Sequence, residues 1–228
     1  MDHVTLIAAL PRDVKSTLTA RSDRRGLGHM ASYLGVLALS SWGIAAQVPF
    51  WGTLVPVQGI LIVFLFTLSH ECTHYTPFAN KRLNDWVGHA VALPLMLPFV
   101  WFRYFHLAHH KYTNDPERDP ELAGEGRPET WRAYLIYLSG WGYWSGNART
   151  LWGNAFGTID APYLPQRQHG AMRREARVLL ALYAVLALSL FVSPLALWLW
   201  ALPALIGQPA LRLYLLAEHG HCPPNRNC

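Results

Sequence analysis

Two apolar runs early in the chain constrain any fold it can adopt. One extends from about Met30 to Ala46 and the next from about Phe50 to Ser69. Each approaches the roughly 20 residues that a helix needs to cross the hydrocarbon of a bilayer. A third apolar block runs from Val178 to about Ala217, and its 40 residues are enough for two further spans with a tight turn near Ser193 to Pro203. A shorter run, Trp86 to Phe102, contains Pro94 and Pro98. Two prolines four residues apart remove helical hydrogen bonds, so this run predicts a kinked or re-entrant segment rather than a straight span. Trp131 to Trp152 is rich in aromatic residues and interrupted by Gly140, Gly142 and Gly146, and reads as an interfacial or poorly formed helix.

Composition agrees with a membrane setting. Only 14% of residues are charged, against about 25% in an ordinary soluble domain. Ten tryptophans in 228 residues suit the membrane–water interface, where Trp and Tyr concentrate. The net charge of +5 does not read as a nucleic-acid surface, because the basic residues fall between the apolar runs. Arg12, Lys15, Arg21, Arg24 and Arg25 precede the first run, Lys81, Arg82, Arg103, Lys111 and Arg118 follow the second, and Arg167, Arg173, Arg174 and Arg177 precede the last. The short links near Gln47 and Ser193 carry no Lys or Arg. Positive residues stay on the cytoplasmic side, which predicts four spans in two hairpins, with the N-terminal segment to Arg25 and all long polar stretches in the cytoplasm. Cys72, Cys222 and Cys228 do not make a disulfide framework, and the first 25 residues lack the apolar core of a signal peptide.

Seven of the eleven histidines fall in three tight groups. His70-Glu71-Cys72-Thr73-His74 closes the second apolar run, His106-Leu107-Ala108-His109-His110 follows the broken one, and Glu218-His219-Gly220-His221 ends the last. On a helix, residues at i and i+4 share a face, so His70 and His74 can reach one metal ion, and His106 can act with His109 or His110. The charge pattern brings all three groups to the same side of the membrane. Imidazole suits Zn, Cu, Fe and Ni alike. Taken alone, the first group matches the His-Glu-x-x-His zinc protease pattern, with Glu71 as general base. The second group, 31 residues later, is more than one tetrahedral zinc site needs, and five to seven histidines suggest two metal ions. His3, His29, His89 and His169 read as ordinary solvated or hydrogen-bonded side chains.

The first two groups resemble the first two histidine boxes of the membrane-bound fatty acid desaturases and hydroxylases. Lys111-Tyr112-Thr113-Asn114-Asp115-Pro116 and Asp119-Pro120 resemble the context of that family's second box, and Glu218-His219-Gly220 is similar to the single-histidine element of related hydroxylases. The resemblance covers roughly Phe50 to Cys228. It implies an all-α membrane domain of four transmembrane helices under a cytoplasmic histidine-rich cap, with His70, His74, His106, His109, His110, His219 and His221 as metal ligands and Glu71 beside them as a proton carrier or ligand support. It also implies two iron ions, O2, a lipid acyl substrate, and electrons from a separate donor of the ferredoxin, rubredoxin or cytochrome b5 type. The family's final His-x-x-His-His box does not occur in this sequence, so the expectation is a single domain truncated at its C-terminus. Hydroxylation, an intramembrane zinc protease and an inactive relative are the alternatives. Asp115 and Asp119 either orient ligand imidazoles or form the turn that Asn114-Asp115-Pro116 signals.

Overall fold

The structure, a computed structural model, describes residues 3–122 and 128–218. The described residues are helical, with no strand among them. Two short helices, α1 (His3–Ala9) and α2 (Arg12–Leu18), precede α3 (Asp23–Ala45), which starts at Ser22, whose hydroxyl accepts the Arg25 N–H. A short link with left-handed backbone at Gln47 and Phe50 leads through a 3₁₀ turn, Trp51–Thr73 being one continuous helical stretch that includes α4 (Leu54–Thr73). A sequence this apolar, uncharged up to Glu71 in its last turn, can satisfy its backbone only within itself once it lies in lipid, which is the reason it is helical.

Among the described residues, two helices are long and apolar enough to cross a membrane, Trp51–Thr73 and Leu197–Ala217. The second begins as a π-helical turn, Leu197–Ala201, and continues as α10 (Leu202–Glu218). These two cross with their backbones in contact. A Cβ on Gly207 would lie 2.2 Å from the carbonyl carbon of Gly59, and one on Gly59 would lie 2.2 Å from the Pro203 carbonyl oxygen. Small residues at the crossing let the backbones touch, which is how helices associate where lipid removes the hydrophobic drive.

The proline-broken run forms α5 (Lys81–Ala92) and α6 (Phe99–Tyr112), bent 98° from each other. Leu93–Leu95 makes a 3₁₀ turn, Met96 is left-handed, and Pro98 ends the break. The kinked or re-entrant geometry expected from the prolines is therefore present. The stretch read as a poorly formed helix is instead two helices, α7 (Trp131–Leu138) and α8 (Trp141–Phe156). Only Gly140 interrupts them, with φ of 69°; Gly142 and Gly146 lie inside α8. The last apolar block also divides differently. Helix α9 (Gln166–Ser189) takes in the four arginines that precede the block, while Pro203 and Pro209 sit within α10, so the turn falls earlier, at 190–194.

The two short links lie together at one end, where Trp51 and Trp198 meet edge to face at 5.2 Å. Phe50, Phe191 and Val192 on these links are 85–91% exposed, as side chains facing lipid would be. At the opposite end of α4, the core of Phe78, Phe99, Leu95 and Leu211 closes the molecule beneath the histidines.

Candidate metal centre

Four imidazoles meet where the C-terminal ends of α4 and α6 come together. His70 lies in the last turn of α4, His74 is its C-terminal cap, and His106 and His110 lie on α6. Their ligand nitrogens all fall within 4.8 Å of one another. The Nε2 of His106 is 2.9 Å from the Nε2 of His74 and 2.9 Å from that of His110, and the rings of His70 and His106 stand 4.2 Å apart. Helical geometry accounts for the selection. At about 100° per residue, His106 and His110 project roughly 40° apart, as do His70 and His74, whereas His109 and His110 diverge by about 100°.

His109 accordingly turns to the other side of α6. Its Nδ1 is 2.9 Å from Asp119 Oδ1 and 3.0 Å from Glu121 Oε2, and these three side chains form a second group of ligand-type atoms. Asp119 is 2% exposed and also accepts the N–H groups of Asn114 and Glu121. Of the two aspartates weighed from sequence, Asp119 holds a histidine. Asp115 is taken up by its turn, accepting the N–H groups of Glu117 and Arg118 and pairing with the Arg118 guanidinium. His219 and His221 lie outside the described residues.

The donor set fits a metal ion. Each neutral imidazole offers one N–H and one lone pair. Three Nε2 atoms at 2.9 Å in succession cannot all be satisfied by protons, and no carboxylate lies within this group of four. A cation resolves the facing lone pairs, and ligands to one ion of this type sit about 2.0–2.1 Å from it. Around the cluster, Glu71 accepts from the Nδ1 of His70 at 3.0 Å and from the hydroxyl of Thr76. With Nδ1 occupied in this way, His70 presents Nε2, the usual arrangement for a metal-bound histidine. Burial, then the neighbouring His70, holds the His74 imidazole below its ordinary pKa, which keeps its lone pair available at neutral pH.

Helix α6 is itself fixed at both ends. Pro98 at its start has no capping side chain, and Glu175 of α9 supplies the cap: its two carboxylate oxygens accept the N–H groups of Phe99 and Val100, each at 2.9 Å. The same carboxylate meets His89 Nδ1 at 2.7 Å, so His89 has a structural partner. Arg103 ties α6 to α4 and α5 through the Cys72 carbonyl, the Tyr75 hydroxyl and Asp85. Neither Glu175 nor Arg103 carries a sequence signal, since their partners are 75 and 31 residues away.

Two adjoining cavities open on the histidines. The inner one, about 280 Å³, is bounded by His70, His106 and His110 together with Phe66, Leu97 and Phe102. The outer one, about 390 Å³, reaches from Trp101 and His109 past Asp119 to α7, α8 and α10.

The family model for fatty acid desaturases matches residues 48–227. This chain belongs to the fatty acid desaturase family. That membership decides in favour of the histidine-box enzymes over the zinc protease that His70 and His74 alone allowed. Among similar proteins, an sn-1 oleoyl-lipid 12-desaturase of Arthrospira platensis is 43% identical over 61 residues, covering 27% of this chain and 17% of the relative. A protein of the same name from Picosynechococcus sp. is 32% identical over 117 residues, covering 50% and 32%. An sn-1 acyl-lipid omega-3 desaturase (ferredoxin) of Synechocystis sp. is 30% identical over 115 residues, covering 49% and 30%. The matched stretches thus span about a third or less of these relatives' own lengths.

Proposed function

We propose that this desaturase-family chain carries the metal-holding face of an O2-dependent, di-iron desaturase acting on a fatty acyl or similar lipid chain. The observation that carries the reading is the meeting of both histidine boxes, through His70, His74, His106 and His110, beside a cavity whose lining includes the apolar side chains Phe66, Leu97, Trp101, Phe102 and Phe105. An apolar chain can lie in such a cavity with its carbons against the imidazole cluster. In the membrane, four spans place this face on the cytoplasmic side, supported by the distribution of Arg and Lys between the apolar runs and by the two uncharged links meeting at the opposite end.

Iron held by these imidazoles supplies activation of O2 for removing hydrogen from unactivated C–H bonds. The overall reaction takes two hydrogens from adjacent carbons and reduces O2 to two waters, so two electrons and two protons must come from outside the substrate. A separate small redox protein, of the ferredoxin, rubredoxin or cytochrome b5 type, is the proposed donor, docking on the cationic cytoplasmic face. The protein's own residues position and shield. His70 is oriented by Glu71, which Thr76 holds in turn, and Glu71 is the group placed to pass protons at the edge of the cluster. Phe66 and Phe102, in contact with each other and with His70 and His106 respectively, keep water from the inner cavity. His109, whose ring Asp119 and Glu121 hold at Nδ1, is proposed as a further ligand.

Elemental analysis of the detergent-purified chain tests this. About two irons per chain, lost in the His106→Ala/His109→Ala double variant, is the expected result. One zinc per chain, retained in that variant, would overturn the reading.

A further inference from the structure

Arg212 lies within Leu197–Ala217, a helix long and apolar enough to cross a membrane, and it lines both cavities beside the histidines. A cation in such a segment is expensive, and it normally faces a carboxylate or a polar pathway. Among the described residues no carboxylate pairs with Arg212. Its guanidinium instead sits against two rings, 4.9 Å from the centre of Tyr143 and 5.5 Å from that of Tyr137. Its Nε is buried without a hydrogen-bond partner.

The neighbouring polar groups are already committed. The Tyr143 hydroxyl donates to the Leu95 carbonyl and the Tyr137 hydroxyl to the Arg212 carbonyl. The two acids facing the same space, Asp119 and Glu121, hold His109. Aromatic faces restrain and stabilise a guanidinium but accept no in-plane hydrogen bond from it. The result is a positioned cation with unspent donors at the junction of an apolar inner cavity and an outer cavity that also exposes Asn147, Arg149 and Thr150.

We propose that Arg212 anchors an anionic oxygen group, carboxylate or phosphate, carried on the acyl substrate, so that the polar end rests in the outer cavity and the hydrocarbon enters the inner one. This deepens the acyl-chain reading of the site and rests on it. A planar guanidinium offers paired N–H donors that match either anion, and a charged hydrogen bond in this setting is worth about 10- to 100-fold in affinity.

The test is equilibrium binding of radiolabelled palmitate, palmitoyl lysophosphatidylglycerol and hexadecanol to the protein as purified, without an electron donor, so that no turnover is needed. Wild type is expected to bind at least one of the anions about 10- to 100-fold more tightly than the alcohol. Preference for palmitate alone identifies a carboxylate, and preference for the lysolipid alone identifies a phosphate. Arg212→Gln is expected to erase the preference, Arg212→Lys to keep most of it, and Arg24→Gln, at an exposed position outside both cavities, to leave it in place. Equal binding of the alcohol and both anions by wild type would overturn the proposal, even if Arg212→Gln failed to fold. So would a preference that survives in Arg212→Gln or disappears in Arg24→Gln. Iron content is read separately. Protein without iron that still shows the Arg212-dependent preference would defeat the proposed oxidation and leave the anchor standing, and iron-loaded protein without the preference would do the reverse.

Discussion

The histidine-bearing helix α6 depends on a carboxylate from a distant helix, and removing that carboxylate should release it. Glu175 is buried, 8% exposed at its side chain, and it accepts the first two N–H groups of α6. The chain's own cap position is Pro98, which has no side chain able to accept. Glu175→Ala leaves two N–H groups at the bend without partners and strips His89 of its acceptor. Each buried donor left unsatisfied costs about 1–3 kcal/mol, and the lost interaction of the charge with the helix N-terminus adds about 0.3–1 kcal/mol. The sum is about 2–7 kcal/mol, which for a chain of this size corresponds to a fall in thermal midpoint of about 5–28 °C. Glu175→Gln keeps one accepting oxygen but turns an amide N–H₂ toward the other donor, so roughly half of that loss is expected. Phe99 and His106 are about 10 Å apart along α6, so a displaced start carries His106 and His110 out of register with α4, and metal content should fall with the midpoint. The assay is thermal denaturation in one detergent at one scan rate, with iron measured on the same preparations. A Glu175→Ala midpoint within about 2 °C of wild type would refute the reasoning and show that α6 holds its place without the cap.

Three further outcomes follow from the same geometry. Replacing Gly by Ala inside an ordinary helix gains about 1 kcal/mol; Gly207→Ala should instead lower the midpoint, because its Cβ would lie 2.2 Å from the Gly59 backbone, and a rise would show that the α4–α10 crossing can open freely. Asp119→Ala removes an acceptor for His109 and for two backbone N–H groups, and a loss of about 2–4 kcal/mol, read as a lower midpoint and faster proteolysis within 114–122, is expected; Asp119→Asn should lose less. Chelation of the bound metal should lower the midpoint, since an ion that binds only the folded chain stabilises it, and an unchanged midpoint would show that the four imidazoles are held together without one.

The parts of this protein legible in its sequence were those governed by local pattern. Prolines 94 and 98 announced the 98° bend because backbone hydrogen bonds fail where they stand. The i, i+4 spacing of His70 with His74 and His106 with His110 announced the shared face, and the two pairs do converge. Spacing also left His109 and His110 interchangeable, and only the position of Asp119 and Glu121 shows that His109 turns away from the four-imidazole group. The glycines of 131–152 were misleading because only Gly140 adopts a backbone that ends a helix, while Gly142 and Gly146 are carried inside α8. Pro203 and Pro209 misled for a related reason: both are tolerated inside the continuous helix Leu197–Ala217, Pro203 just after its π-helical turn and Pro209 within α10.

The residues that sequence could not disclose share one property, that each acts across a long stretch of chain. Glu175 reaches back to Phe99, Arg103 to Cys72, and Arg212 to the rings of Tyr137 and Tyr143. Histidines that must meet a metal can be supplied in pairs by single helices, because one helical turn already sets two ligands side by side. The distance between those pairs belongs to no helix. It is set by a buried carboxylate at one end of α6 and by a guanidinium that holds α6 to α4 and α5, so the sites most sensitive to substitution outside the histidines should be these few charged side chains rather than the apolar residues that outnumber them.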